Sequence, residues 1–189
     1  MHLQWFLSDF GNALVAGAAA LIIFGWLWAR LGWVAGVVFL ICFLGVIGSV
    51  VGLKFIAYSL RPPVDDTPLF ALSEGAPSGH TALATITYGS LAAILAVLDR
   101  RPMAWLAAAV CAAVIAAVAI TRVTLNMHTA GDVIAGFAVS AIGVGVFARA
   151  LAAQARGPSI RSVMLFSAVA VVTLALLVGG FRLNTLTLL

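Results

Sequence analysis

The sequence predicts an all-α integral membrane protein, a six-transmembrane-helix bundle. Of its 189 residues, 64% are hydrophobic and only 8% are charged, whereas soluble domains have about 45–50% apolar and about 25% charged residues. The mean hydropathy is +1.19. We expect one membrane domain over residues 1–189, with a motif-bearing core at about 33–150 and little room for a soluble domain.

Six apolar runs approach or exceed the span of about 20 mostly apolar residues that crosses a bilayer as a helix. They lie at 12–29, 33–53, 80–98, 103–121, 132–149 and 162–180. The first run lacks the basic flank and cleavage site of a signal peptide, so we expect it to be a retained span. Residues 63–76 contain two prolines and three acids and are expected to form a loop.

Composition argues against several kinds of partner. The net charge of +4 does not indicate nucleic-acid binding, because Lys54 is the only lysine and no arginine-rich run occurs. Cys42 and Cys111 lie inside apolar runs, so buried thiols are favoured over a disulfide or a metal pair. We expect the lipid bilayer as a partner and no nucleic acid, and the oligomeric state stays open.

The distribution of arginines predicts the orientation in the membrane. Six spans place both termini and the loops at 54–79 and 122–131 on one side. The turns on the other side carry six arginines, namely Arg30, Arg100, Arg101, Arg149, Arg156 and Arg161. Short loops rich in lysine and arginine face the cytoplasm. We therefore expect the two motif loops to face outward, which is the periplasm if the host membrane is a bacterial inner membrane.

The first motif segment, KFIAYSLRP (residues 54–62), directly follows the second apolar run. Lys54 and Arg61 are seven residues apart, which in a helix is about 700° of rotation and a rise of about 10 Å. Both cations would lie near one face at the outer helix end, where they suit a phosphate with several oxygens. The alternative is that two basic side chains extend to the membrane interface without binding a ligand.

The second segment, Pro77-Ser78-Gly79-His80, stands immediately before the third run. Ser78 could cap the helix, and Gly79 would let the backbone approach an anion at the exposed amides of the helix N-terminus. His80 would then lie in the first turn beside the bound group. The alternative is an ordinary helix cap followed by an interfacial histidine.

The third segment contains Arg122, His128 and Asp132. His128 and Asp132 are four residues apart, on one helical face. A carboxylate bonded to one imidazole nitrogen would fix the tautomer and leave the other nitrogen free to attack. The alternative is a polar kink between two spans, with Asp132 capping the following helix.

Together these segments resemble the type 2 phosphatidic acid phosphatase family, whose signature is K-x6-RP, PSGH and SR-x5-H-x3-D. The resemblance covers residues 33–150 and departs at Thr121, where the family usually has serine. It implies an all-helical bundle that hydrolyses phosphate esters without a metal or other cofactor. It also implies five phosphate-binding residues: Lys54, Arg61, Ser78, Gly79 and Arg122.

The resemblance further implies three catalytic residues. His128 would attack phosphorus and form a phosphohistidine, with Asp132 positioning it. His80 would protonate the leaving oxygen and later activate water. The substrate would be a membrane lipid phosphate or diphosphate, for example phosphatidic acid, phosphatidylglycerol phosphate or undecaprenyl diphosphate.

Three other functions share part of this pattern. A lipid phosphotransferase would use the same intermediate, and the sequence does not separate it from a hydrolase. A vanadate-dependent haloperoxidase shares the signature but is typically soluble, which the apolar runs disfavour. A membrane transporter would have ionisable groups along a pathway across the bilayer. In this sequence the ionisable groups gather at one membrane face.

Overall fold

The computed structural model describes residues 2–60, 75–98, 102–154 and 168–176. A short helix, α1 (His2–Ser8), is followed by a 3₁₀ turn (Asp9–Gly11). Five longer helices come next: α2 (Ala13–Leu31), α3 (Trp33–Ser59), α4 (Gly79–Leu98), α5 (Pro102–Thr124) and α6 (Ala130–Gln154). Residues 168–176 are also helical.

The five helices α2 to α6 are each long and apolar enough to cross a membrane, at 19 to 27 residues. The described residues contain helices and no strand, so the prediction of an all-α integral membrane protein is confirmed. Of the sixth predicted run, 162–180, only residues 168–176 belong to the described part. The described structure therefore contains five candidate spans.

The predicted tight turn between the first two spans is present. Gly32 separates α2 from α3 with a φ of 98°, a backbone conformation that glycine adopts without steric penalty. The Gly32 amide donates to the carbonyl of Trp28 at 3.1 Å, which closes the last turn of α2. This one residue reverses the chain and places α2 and α3 side by side.

Helix α4 forms the centre of the bundle and is the most deeply buried of the five long helices. It packs most extensively against α5 and α6, while α3 packs against α2, α6 and α4. The rings of Phe39 on α3 and Phe147 on α6 meet edge to face at 5.5 Å. Gly143 permits this close approach, because a Cβ there would lie 2.5 Å from a methyl carbon of Val46.

The alternating helix directions gather the polar segments at one end of the bundle. The C-termini of α3 and α5 and the N-termini of α4 and α6 meet there, and α1 with its 3₁₀ turn packs against α5 and α4 at this same end. Arg30 and the Gly32 turn lie at the opposite end. The fold thus brings the motif segments that the structure describes to one membrane face.

Candidate active site

The turn after α5 fixes the position of His128 relative to Arg122. The amides of Met127 and His128 both donate to the Arg122 carbonyl at 3.1 Å, and the amide of Asn126 donates to that of Val123 at 3.0 Å. Asn126 is left-handed, with a φ of 54°. This pattern is a Schellman motif, which ends helices by satisfying their last carbonyls. It holds His128 in a fixed position in space relative to the buried Arg122.

His128 and Asp132 lie close together as predicted, but not on one helical face, because His128 lies in the bend before α6, which begins at Ala130. The imidazole Nδ1 lies 3.6 Å from Oδ2 of Asp132, and the His128 side chain is only 1% exposed. This distance is longer than a hydrogen bond, and no other described group bonds to Nδ1. Catalytic hydrogen bonds are often long before substrate binds. The arrangement directs Nδ1 toward the carboxylate and leaves Nε2 for another partner.

Asp132 also caps the helix on which it lies. Its Oδ2 accepts from the amide of Thr129 at 2.9 Å, and the Thr129 hydroxyl accepts from the amide of Asp132 at 3.3 Å. These reciprocal bonds form a capping box at the start of α6. The two interpretations of Asp132 are therefore compatible, because the bond that caps α6 also holds the carboxylate beside His128.

The PSGH segment rests on the beginning of α6. The amide of Ser78 donates to the carbonyl of Asp132 at 2.9 Å. Gly136 makes this approach possible, since a Cβ there would lie 2.5 Å from the Ser78 carbonyl oxygen. Ser78 is fully buried, and its hydroxyl accepts from that of Thr81 at 3.1 Å. Gly79 begins α4 as predicted, with His80 in the first turn.

The cations that the structure describes converge on this end. Lys54 donates to the carbonyl of Gly75 at 2.9 Å, next to the PSGH segment. Arg122 is buried, with 5% exposed, at the end of α5. The positive charges of Lys54 and Arg122 both act on His80, and His128 is a neighbour of the same imidazole. Arg61 and Pro62 lie outside the described residues.

The environment of His128 favours its neutral form. Burial lowers the pKa of His128 below its usual 6.5, and the positive charges of Arg122 and Lys54 lower it further, while Asp132 acts in the opposite direction. A neutral imidazole has a free lone pair and can act as a nucleophile or a base. At neutral pH this site therefore combines an unprotonated imidazole with fixed cations.

Thr121, the position at which the family usually has serine, keeps a buried hydroxyl. It donates to the Val118 carbonyl at 2.8 Å, within α5. In this structure the hydroxyl therefore bonds to its own helix.

The N-terminal segment also contributes to this site, although no motif in the sequence marks it. Ser8, which is 1% exposed, accepts a hydrogen bond from Nη1 of Arg122 at 3.1 Å. The charge of Asp9 also acts on Arg122. The only signal available was a polar pair, Ser8-Asp9, just before a span that begins on the motif side of the membrane.

Among the described residues, no group of three or more histidine, cysteine, aspartate or glutamate side chains is arranged to hold a metal ion. The polar groups that converge are instead cations and imidazoles, which suit an anion. Cys42 and Cys111 are both free thiols away from this end.

Comparison with known proteins agrees with this chemistry. No curated protein and no solved structure matches the chain. The family model of the PAP2 superfamily matches residues 33–156, about two thirds of the chain, and includes α3 to α6 with all three motif segments. Membership in this family supports phosphatase activity on phosphate esters. The chain therefore belongs to the PAP2 superfamily.

Proposed function

We propose that this protein is a membrane lipid phosphatase that hydrolyses a phosphate or diphosphate monoester through a phosphohistidine, without a metal or cofactor. One observation carries the proposal. The His128–Asp132 pair lies at the same end of the bundle as His80, Lys54 and Arg122, and the charges of the two cations act on both imidazoles. A neutral imidazole among fixed cations is suited to attack a phosphate whose negative charge the cations offset.

In the first step, Nε2 of His128 forms a bond to the terminal phosphorus. The bond from this phosphorus to the leaving oxygen breaks; that oxygen belongs to the lipid alcohol in a monophosphate and is the bridging oxygen in a diphosphate. Asp132 holds Nδ1 and stabilises the positive charge that develops on the ring. The negative charge of the bound phosphate offsets the nearby cations, so that His80 can carry a proton. It donates this proton to the departing oxygen, and the product is a lipid alcohol or, from a diphosphate, a lipid monophosphate. Dividing one displacement into two easier steps is the advantage of a covalent intermediate.

In the second step, water attacks the phosphohistidine and releases inorganic phosphate. His80, having lost its proton, removes one from this water, which restores both histidines. Lys54, Arg61 and Arg122 would hold the phosphate oxygens through both steps, assisted by Ser78 and the Gly79 amide. The developing charge is thereby balanced by groups that are in place before the reaction starts.

A cavity beside the site supports a lipid substrate. It has a volume of about 390 Å³ and lies between α2, α3 and α4. Lys54 and Gly79 line it together with apolar residues that include Gly17, Phe43 and Val46. A phosphate held at Lys54 would place its attached chain in this cavity. Such a cavity, apolar with few polar groups, is typical of a site for a largely apolar ligand.

We further propose that the site faces outward from a bacterial inner membrane. Arg30 and Arg149 lie in α2 and α6 toward the end opposite the site. The other four arginines counted for that side lie outside the described residues. An excess of short-loop arginines marks the cytoplasmic side.

Phosphate release by the purified protein tests the function. The assay offers phosphatidic acid, phosphatidylglycerol phosphate and undecaprenyl diphosphate in mixed micelles, with and without EDTA. The proposal predicts release from at least one lipid, unchanged by EDTA. No release from any of them, or release only when a divalent metal is added, would contradict it. Adding a second lipid alcohol and looking for its phosphorylated form detects a phosphotransferase.

A further inference from the structure

The N-terminal segment, residues 2–11, packs directly onto the site. Helix α1 contacts α5, and the 3₁₀ turn contacts α4. The buried Gly11 lies against the backbone of His80, where a Cβ would be 2.5 Å from the carbonyl oxygen. The Tyr88 hydroxyl donates to the Phe10 carbonyl at 3.3 Å. This segment therefore has a defined position beside the catalytic end of α4.

Within this segment, Ser8 is the residue that reaches the phosphate-binding machinery. Its Oγ accepts from Nη1 of Arg122 at 3.1 Å. Ser8 and Arg122 are 1% and 5% exposed, so little water competes for this bond. Ser8 also lies outside residues 33–156, the part of the chain that the family model matches.

The bond to Ser8 determines which edge of the guanidinium is left for a ligand. The guanidinium group is planar and presents its donors in a rigid fork. Fixing Nη1 therefore fixes the direction of the other donors. Nε of Arg122 is buried and has no hydrogen-bond partner among the described groups. A buried donor without a partner is unfavourable, and a phosphate oxygen would satisfy it.

We propose that Ser8 is a positioning residue, which orients the Arg122 guanidinium so that its Nε edge receives a phosphate oxygen. The inference rests on the proposed function, since it concerns how the same site grips its phosphate. The phosphate pocket is then built from the N-terminal segment as well as from the three motif segments.

Vanadate binding tests this role without requiring turnover. Orthovanadate is titrated into the purified protein, and its affinity is read from the rise in Tm. Ser8→Ala removes the acceptor, and Ser8→Cys replaces it with a weak one of similar size. Both are expected to weaken vanadate binding about tenfold, the effect of losing one hydrogen bond to a charged group. Ser8→Thr keeps the hydroxyl and restores the affinity.

Two controls separate positioning from folding. Ser59→Ala removes a hydroxyl at the same end of the bundle, where it is exposed and bonds only to the Phe55 carbonyl among described groups; vanadate affinity is expected to be unchanged. In an Arg122→Lys background, Ser8→Ala is expected to cause no further loss, because lysine has no planar fork to orient.

The outcomes are distinct. Undiminished vanadate affinity in Ser8→Ala and Ser8→Cys would overturn the inference. The inference would also be overturned if Ser8→Ala lowered vanadate affinity by the same factor in the Arg122→Lys background. That result would mean that Ser8 acts only on folding. If the wild-type protein neither binds vanadate nor releases phosphate from lipids, the proposed function fails, and the inference with it.

Discussion

The backbone amide of His128 donates a hydrogen bond to the carbonyl oxygen of Arg122 at 3.1 Å. This bond gives a physical reason for the five residues that separate the two in the motif. The chain uses them to complete the last turn of α5 and to reverse direction through the left-handed Asn126. One residue more or less would break the Schellman pattern and carry the imidazole away from the arginine.

The first prediction concerns this turn. Asn126→Gly should retain activity, because glycine adopts a φ of 54° freely. Asn126→Val should lower kcat/KM about tenfold, because the left-handed conformation costs a residue with a Cβ about 1–2 kcal/mol and valine is especially disfavoured there. Kinetics on the lipid identified by the phosphate-release assay check both variants. Equal activity for the two would show that the turn does not hold His128 in place.

The helices were largely predictable from the sequence. A run at 80–98 was predicted, and α4 spans Gly79–Leu98; a run at 12–29 was predicted, and α2 spans Ala13–Leu31. The position of each helix is set by a continuous apolar stretch bounded by glycine, proline or charged residues, and such a stretch can be recognised without knowing the tertiary structure. The pairing of His128 with Asp132 was predicted, but its geometry was not. His128 lies in the bend before α6, and Asp132 approaches it from the first turn of that helix.

The contribution of the N-terminal segment was not predictable. Ser8 and Arg122 are 114 residues apart in the chain, and no periodicity links them. Their contact depends on how α1 folds back onto α5, which is a property of the assembled bundle. The roles proposed for all of the site residues remain predictions, and Arg61 lies outside the described residues.

The second prediction concerns pH. The pKa of His128 is lowered by burial and by Arg122 and Lys54, so its nucleophilic form should persist below pH 6.5. As the pH falls through this lowered pKa, the imidazole gains a proton and kcat/KM declines. In Asp132→Asn, a group that raises the pKa of His128 is lost. The acid limb should therefore move to lower pH, while kcat falls about 10²- to 10⁴-fold because the tautomer is no longer fixed.

The pH profiles of wild type and Asp132→Asn are measured on the same lipid. Ionisation of the substrate then affects both profiles equally and cannot explain a difference between them. An acid limb at the same pH in Asp132→Asn and wild type would mean that another group limits the reaction there.

The third prediction concerns the apolar cavity. Gly17→Leu should place a side chain in the cavity, because Gly17 lines it and has open space where a Cβ would be. Each methylene displaced from the cavity forfeits about 0.8 kcal/mol, so kcat/KM for long-chain lipids should fall about 10- to 100-fold relative to short-chain ones. Gly25→Leu, exposed on the same helix with open space around it, is the matched control. A uniform loss across chain lengths would argue against a chain in this cavity.

The fourth prediction concerns orientation. In a background with Cys42 and Cys111 replaced by alanine, Leu60→Cys should react with an impermeant maleimide in intact cells. Leu60 follows α3 at the site end and is 80% exposed. Ala153→Cys, exposed near the opposite end of α6, should react only after the membrane is permeabilised. The reverse labelling pattern would place the site in the cytoplasm.

The central claim is that His128 becomes phosphorylated during turnover. Wild-type protein is mixed with a ³²P-labelled lipid substrate, quenched after milliseconds, and tested for a label that is stable in base and labile in acid. The expected result is such a label on a peptide containing His128, and no label or phosphate release in His128→Ala with an unchanged Tm. Near-normal phosphate release by His128→Ala would contradict the mechanism directly.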